Sequence, residues 1–145
     1  MFRSADALFR PKSIAIIGAS ESGYAQRIFA NLQAAQFPVE IFLLNPRRDR
    51  LWEYPVYSSY AALPATPDLA VAVISERHIP TSLAEAASRG VKAAIVYASD
   101  FGEGESAEGK ARAQALSSIC KEHDFRICGP NCMGLISPLA NMALT

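Results

Sequence analysis

A doubly wound α/β fold, with a mainly parallel five-stranded sheet and helices on both faces, is predicted by three features of the sequence. Short apolar runs rich in β-branched residues recur at Ser13–Ile17, Glu40–Leu44, Leu69–Ile74, Ala93–Tyr97 and Phe125–Cys128. Runs of that length and composition read as strands buried on both faces. Segments of helical length separate several of them, and strands alternating with helices imply right-handed βαβ crossovers. Each run also ends in a polar turn, at Gly18–Gly23, Asn45–Arg50, Ser75–Pro80, Ala98–Glu103 and Gly129–Gly134.

The elements follow in order. Ser4–Phe9 has room for one or two helical turns, closed by Arg10-Pro11. Ser13–Ile17 is the first strand and Ala25–Ala35 the first helix, broken by Phe37-Pro38. Glu40–Leu44 stops at Asn45-Pro46, because the residue before proline is pushed out of regular geometry. Arg47–Tyr57 reads as irregular, and Ser59–Leu63 as a short helix before Pro64. After the third strand, Ile79-Pro80 opens a helix running to about Arg89, with Gly90 suited to its left-handed cap. A longer helix, Ala107–Glu122, precedes the fifth strand and the Gly129-Pro130-Asn131 turn. The fold is therefore Rossmann-like, and in such sheets ligands bind beyond the carboxyl ends of the strands.

Composition narrows the function. At 145 residues, residues 1–145 form one domain, able to bury about 70% of the unfolded surface without a metal or disulfide staple. Lys plus Arg and Asp plus Glu are 14 each, which argues against a general nucleic-acid or membrane-surface binder. No apolar run approaches the ~18–20 residues of a membrane span, and Met1–Phe9 lacks the apolar core of a signal peptide. Cys120, Cys128 and Cys132 make no even framework, which suits the reducing cytoplasm. The chain is expected to be the N-terminal part of a longer protein.

Gly18-Ala19-Ser20-Glu21-Ser22-Gly23 is a candidate anion cradle, since the first amides of a helix are unpaired and point outward. It carries no Lys-Ser/Thr, so it is not a P-loop, and it does not fit G-x-G-x-x-G. An NAD site would want a carboxylate after the second strand, where this chain has Asn45-Pro46 followed by Arg47, Arg48 and Arg50. Guanidiniums suit a phosphate monoester on a ribose, leaving NADP or coenzyme A. Arginines that merely solvate a loop around Asp49 remain the alternative.

Further along, Leu8-Phe9-Arg10-Pro11, Asn31-Leu32, Leu44-Asn45-Pro46, Tyr57 with Ser59, Leu63-Pro64, Asp68-Leu69, Gly90–Ala94, Phe101-Gly102-Glu103 and Gly129-Pro130-Asn131-Cys132-Met133-Gly134 occur in that order. In these residues the chain resembles the CoA-binding domain of the NDP-forming acyl-CoA synthetases, relatives of the succinyl-CoA synthetase α-subunit. The resemblance implies an N-terminal module of a larger enzyme. Such an enzyme interconverts acyl-CoA, ADP and phosphate with a carboxylic acid, ATP and CoA through a phosphorylated histidine. It implies CoA or acyl-CoA as ligand, ATP-grasp and phosphohistidine-bearing domains as partners, and no catalytic residue in this chain. Self-assembly into a homo-oligomer stays open. So do two other readings, an NAD(P)-binding domain and a degenerate docking or regulatory module.

By resemblance, the Gly18, Ala19 and Ser20 turn leads to Gly23, Tyr24 and Ala25, whose amides would meet the CoA pyrophosphate. Arg48, after Asn45 and Pro46, would grip a CoA phosphate. Ile74, Ser75, Tyr97, Ala98 and Ser99 would line the adenine and pantetheine path, and Asn131 and Cys132 the mouth for the thiol. The family commonly has Gly-Ser-x-Gly where Gly23-Tyr24-Ala25-Gln26 stands, Pro at Ser75, and Gly at Glu53 and Asp100. Tyr24 and Gln26 add bulk where backbone should approach phosphate, and Asp100 and Glu103 bring negative charge. Micromolar or weaker CoA binding is expected.

The remaining candidates have ordinary roles. His78 lies at the ligand edge without an orienting partner in sequence, and His123 sits in a polar turn. Cys128 and Cys132 lack zinc-knuckle spacing. Glu103, Glu105 and Glu108 with Lys110 and Arg112 suit a helix start and its dipole. Trp52 and Tyr54 fit either stacking on adenine or packing over their loop.

Overall fold

The computed structural model describes residues 4–145. Met1–Arg3, part of the stretch read for a leader, lie outside the described residues. The strands are β1 (Ser13–Ile17), β2 (Glu40–Leu44), β3 (Arg50–Leu51), β4 (Tyr54–Tyr57), β5 (Leu69–Ala72), β6 (Ala93–Val96), β7 (Arg126–Cys128), β8 (Leu135–Ser137) and β9 (Met142–Leu144). The helices are α1 (Asp6–Phe9), α2 (Gly23–Ala34), α3 (Ile79–Ser88) and α4 (Ala107–Glu122).

The main sheet has seven strands, ordered β3-β4-β2-β1-β5-β6-β7. All pairs are parallel except β3 with β4. Six parallel strands thus run 3-2-1-4-5-6 in chain order, the doubly wound arrangement, and the order reverses between β1 and β5.

Two extra strands in the main sheet and a separate two-stranded hairpin go beyond the expected five. Arg47–Tyr57, expected to be irregular, folds back as the β3–β4 hairpin, and β4 joins β2 through Leu43–Val56 and Leu44–Tyr57. Its two turn residues, Trp52 and Glu53, have φ of 50° and 65°. A two-residue hairpin turn with both φ positive normally announces itself as Asn-Gly. Here the Trp52 ring instead lies stacked on Phe29 of α2 at 4.2 Å, so tertiary packing holds the turn. The β8–β9 hairpin beyond Gly134 was also not anticipated. It packs on α2, with Asn31 Nδ2 donating to the Thr145 carbonyl at 2.7 Å.

The sheet is covered on both sides because its central strands are apolar on both faces. Every residue of β5 and β6 is buried. One face meets α3 and α4 through Leu83, Ala86, Leu116 and Ile119. The other meets α2 through Ala25, Ile28 and Leu32, spaced three and four apart on one helical stripe, together with Met142 and Leu144 of the hairpin. Each buried Leu, Ile or Met among them contributes roughly 1.5–3 kcal/mol, and each Ala less. Among the described residues no helix is long and apolar enough to cross a membrane.

Candidate functional site

Gly18 ends β1 with φ +83°, and a Cβ there would lie 2.5 Å from the Val73 carbonyl oxygen and 2.7 Å from Ile74 Cγ2. Only glycine lets the turn after β1 pass so close to the segment after β5, at the point where the strand order reverses. The amides of Gly18 and Ala19 both donate to the Leu44 carbonyl, at 2.9 and 3.2 Å. Asn45 then works as a strut between the two loops. Its Nδ2 donates to the Ala19 carbonyl at 2.9 Å and its Oδ1 accepts the Arg47 amide at 3.0 Å. Ser20 Oγ donates to the Ser22 carbonyl at 3.1 Å, holding the turn on itself.

Helix α2 begins at Gly23, two residues before the predicted start, and Ser22 before it is extended but caps no amide with its side chain. Helix α4, by contrast, is capped by Ser106 Oγ, which accepts the Gly109 amide at 2.8 Å. The start of α2, at Gly23, Tyr24 and Ala25, like the starts of α1 and α3, thus has no side-chain cap among the described residues. Across the two loops Arg48 Nη1 meets Glu21 Oε2 at 3.2 Å.

A cleft of about 420 Å³ opens at the Gly18 and Asn45 turns, lined among others by Ile17, Gly18, Asn45, Pro46, Arg47, Ile74, His78 and Glu85, whereas Arg48 and the start of α2 at Gly23, Tyr24 and Ala25 do not line it. Tyr60 is buried against it, with its hydroxyl toward the Ser82 side chain. Burial pushes that phenol far above its usual range, the Ser82 hydroxyl opposing the rise and Glu85 adding to it. Another cleft, of about 350 Å³ beside Thr66, Arg89 and Val91, lies at the amino edge of the sheet, away from the ligand edge of such folds.

The ends of β6 and β7 form a second group. Tyr97 is buried, donates its hydroxyl to the Leu144 carbonyl, and carries the Tyr24 ring at 4.9 Å between centroids. Burial first, then Cys132, Cys128 and Tyr24, hold the Tyr97 phenol far above its usual range. Asn131 donates its amide to the Ala98 carbonyl at 2.9 Å, next to the cis Gly129-Pro130 bond. The Cys132 thiol donates to the Val96 carbonyl at 3.4 Å, and burial raises the Cys128 thiol. Ser75 and Ser99 are exposed and line neither cleft described here. Of the predicted site residues, Gly18, Asn45, Pro46 and Ile74 therefore share one cleft, while Tyr24, Tyr97, Ala98, Asn131 and Cys132 gather beside it.

The family model for the CoA binding domain matches residues 12–138. The chain belongs to the CoA-binding domain family. This CoA-binding domain is 34% identical over 145 residues to the α subunit of ADP-forming acetate–CoA ligase II of Pyrococcus furiosus, covering 97% of the chain and 31% of that protein. It is 36% identical to trans-feruloyl-CoA synthase FCS1 of an unknown prokaryotic organism, over 97% of the chain and 20% of that protein. Among solved structures it superposes on dinucleotide-forming acetyl-coenzyme A synthetase 1 of Ca. Korarchaeum cryptofilum with TM-score 0.85 and 26% identity, over 99% of the chain and 31% of that one. The domain thus spans a third or less of the length of these relatives.

The CoA-binding domain absorbs its departures from the family pattern locally. Glu53 and Asp100, where the family commonly has glycine, have φ of 65° and 71°. The Asp100 carboxylate pairs with Arg112 Nη2, and Arg112 Nε donates to the Asp100 carbonyl at 3.0 Å. Glu103 accepts the Phe101 amide. Both acids are thus spent inside the β6–α4 loop. Trp52 and Tyr54 both pack on Phe29. His78 lines the cleft, with its Nε2 accepting from Arg77 Nε at 3.3 Å, while His123 ends α4. Sequence reasoning passed over Glu21 as the partner of Arg48 and Tyr60 as a cleft residue. An acid in the turn facing an arginine run was a readable signal for the first, whereas Tyr60 is placed by tertiary packing alone.

Proposed function

We propose that this domain holds CoA, or an acyl-CoA, as the CoA-binding module of an ADP-forming acyl-CoA synthetase. The pyrophosphate meets the amides of Gly23, Tyr24 and Ala25, following the Gly18-Ala19-Ser20 turn. Arg48, carried after Asn45 and Pro46, holds the ribose phosphate. The adenosine lies against Ile74 and Ser75, and the pantetheine arm runs by Tyr97, Ala98 and Ser99 toward Asn131 and Cys132. Thioester chemistry belongs to ATP-grasp and phosphohistidine-bearing domains of the parent enzyme, acting in the cytoplasm. The single observation that carries the reading is the uncapped start of α2 standing beside a loop that presents Arg48, at the switch point of the sheet. An uncapped helix start and a guanidinium are the two groups that anions of a nucleotide cofactor require.

Thermal shifts with CoA, dephospho-CoA, NADP and NAD test it. At a hundredfold excess over Kd, ligand linkage stabilises by about 2.7 kcal/mol. CoA should stabilise the domain more than dephospho-CoA does, and Arg48→Ala should erase that difference. A shift with NADP or NAD alone, or none with any of the four at millimolar concentration, refutes the proposal.

A further inference from the structure

Glu21 stands where an anionic ligand would not want it. Its carboxylate lies on the turn between β1 and α2, and Oε2 is 3.2 Å from Arg48 Nη1. The two residues are 27 positions apart in sequence. What brings them together is backbone: Gly18 and Ala19 donate to the Leu44 carbonyl, and Asn45 Nδ2 donates back to Ala19. The loops are fixed, so the two side chains are rooted within reach of each other. Glu21 is 67% exposed at its side chain and Arg48 39%. An exposed partner leaves at little cost, because such pairs are worth little in high dielectric.

We propose that Glu21 is a built-in competitor for the ribose phosphate: it occupies Arg48 when the domain is empty and is displaced when a phosphomonoester arrives. This rests on the CoA reading above. A carboxylate is a monoanion with two acceptor oxygens, whereas the phosphomonoester offers three oxygens and close to two charges, so Arg48 exchanges the weaker anion for the stronger. The swap also narrows the preference for the phosphorylated ligand, since only that ligand meets the competition. A ligand without the ribose phosphate gains nothing from Arg48 and leaves the Glu21–Arg48 pair in place. Wild-type affinity for CoA is lowered by the competition, while affinity for dephospho-CoA is left unaided.

Glu21→Gln keeps the side-chain length and removes the charge. Calorimetric titration of wild type and variant with CoA, dephospho-CoA and adenosine 3′,5′-bisphosphate is the test. The variant should bind CoA and the bisphosphate about two- to fivefold more tightly, the range that an exposed ion pair can supply. Its affinity for dephospho-CoA should stay within error, and the gain on CoA should shrink as salt is raised. Equal CoA affinities in wild type and variant overturn the competition while leaving the CoA reading intact, and so does an equal gain on dephospho-CoA. Absence of CoA binding by both proteins at millimolar concentration overturns both.

Discussion

Replacing Gly18 with alanine asks the site to accept two separable penalties. The first is conformational: φ of +83° is a left-handed geometry that costs an L-residue roughly 1–2 kcal/mol. The second is steric. The new Cβ would stand 2.5 Å from the Val73 carbonyl oxygen, a backbone atom whose own amide is held by the Ile17 carbonyl at 2.9 Å, so it yields only if the β1–β5 ladder shifts. Overpacking of that kind costs about 1–3 kcal/mol, and the reduced entropy of the unfolded chain returns about 0.4–1 kcal/mol. The net loss is about 3 kcal/mol, or roughly 6–12 °C in Tm for a domain of this size. Two further glycines isolate the terms. Gly23 has φ +65° with nothing within 4 Å of an added Cβ, so alanine there meets strain without a clash and costs about 1 kcal/mol. Gly104 has open space and no positive φ, so alanine there should be neutral or slightly stabilising. Urea and thermal unfolding of the three variants should rank Gly18→Ala far below Gly23→Ala, and Gly23→Ala below Gly104→Ala. If Gly18→Ala melts within 2 °C of Gly23→Ala, the close approach at the switch point is not a constraint and the account of the cleft is wrong.

Tyr97→Phe removes the hydroxyl that donates to the Leu144 carbonyl and leaves that acceptor without its partner, at a cost of about 1–2 kcal/mol. Hydrogen exchange should rise at Met142–Leu144 before it rises in the central strands, and uniform exchange across the chain would show that the hairpin is not tied through Tyr97. Alkaline pH acts on the same residue. Tyr60 and Tyr97 both have phenols raised by burial, so each contributes stability that is complete below the unfolded value of about 10 and is lost as pH climbs beyond it. The urea midpoint should change little between pH 7 and 8, then begin to fall as pH passes the ordinary range of the Cys120 and Cys128 thiols, both raised by burial. It should fall further above pH 10, and Tyr97→Phe should flatten that last fall; a midpoint that is constant to pH 11 contradicts the burial of both phenols.

The parallel core was legible because it is written twice, in burial and in punctuation. Ser13–Ile17 and Glu40–Leu44 are apolar strands with proline or glycine at their ends, and both emerged with the predicted bounds. The hairpin at Trp52 and Glu53 was not legible, since its left-handed turn is made by residues that ordinarily avoid one and is held by a ring stacked from a distant helix. The β8–β9 hairpin left no alternation to read: Met142, Ala143 and Leu144 are all apolar, and only their burial in the fold alternates. At the site, the glycine turn and the Asn45-Pro46 word were visible because each is a backbone requirement. The cleft wall from α3 and Tyr60 was not, because no local rule says which residues of a later helix come to face an earlier turn.

The acids near the ligand edge show why charge counted along the sequence misleads. Asp100, Glu103 and Glu21 all fall in turns at the carboxyl ends of parallel strands, and all three would appear to repel a phosphate. Structure separates them by what each carboxylate already touches. Asp100 meets Arg112, a guanidinium only 16% exposed, and Glu103 accepts a backbone amide within its own loop. Neither charge is available to the cleft, and moving either would cost a charge-assisted bond that shapes the loop. Glu21 alone leans on the guanidinium that a ligand would use, with most of its surface in water. On the proposed reading, the exchange at Arg48 is therefore an adjustable electrostatic step beside a cleft that Arg47 and Glu85 line. A domain that must take up and release its cofactor repeatedly is served by that arrangement, because a modest competitor at the phosphate weakens the bound state without dismantling the pocket that recognises it.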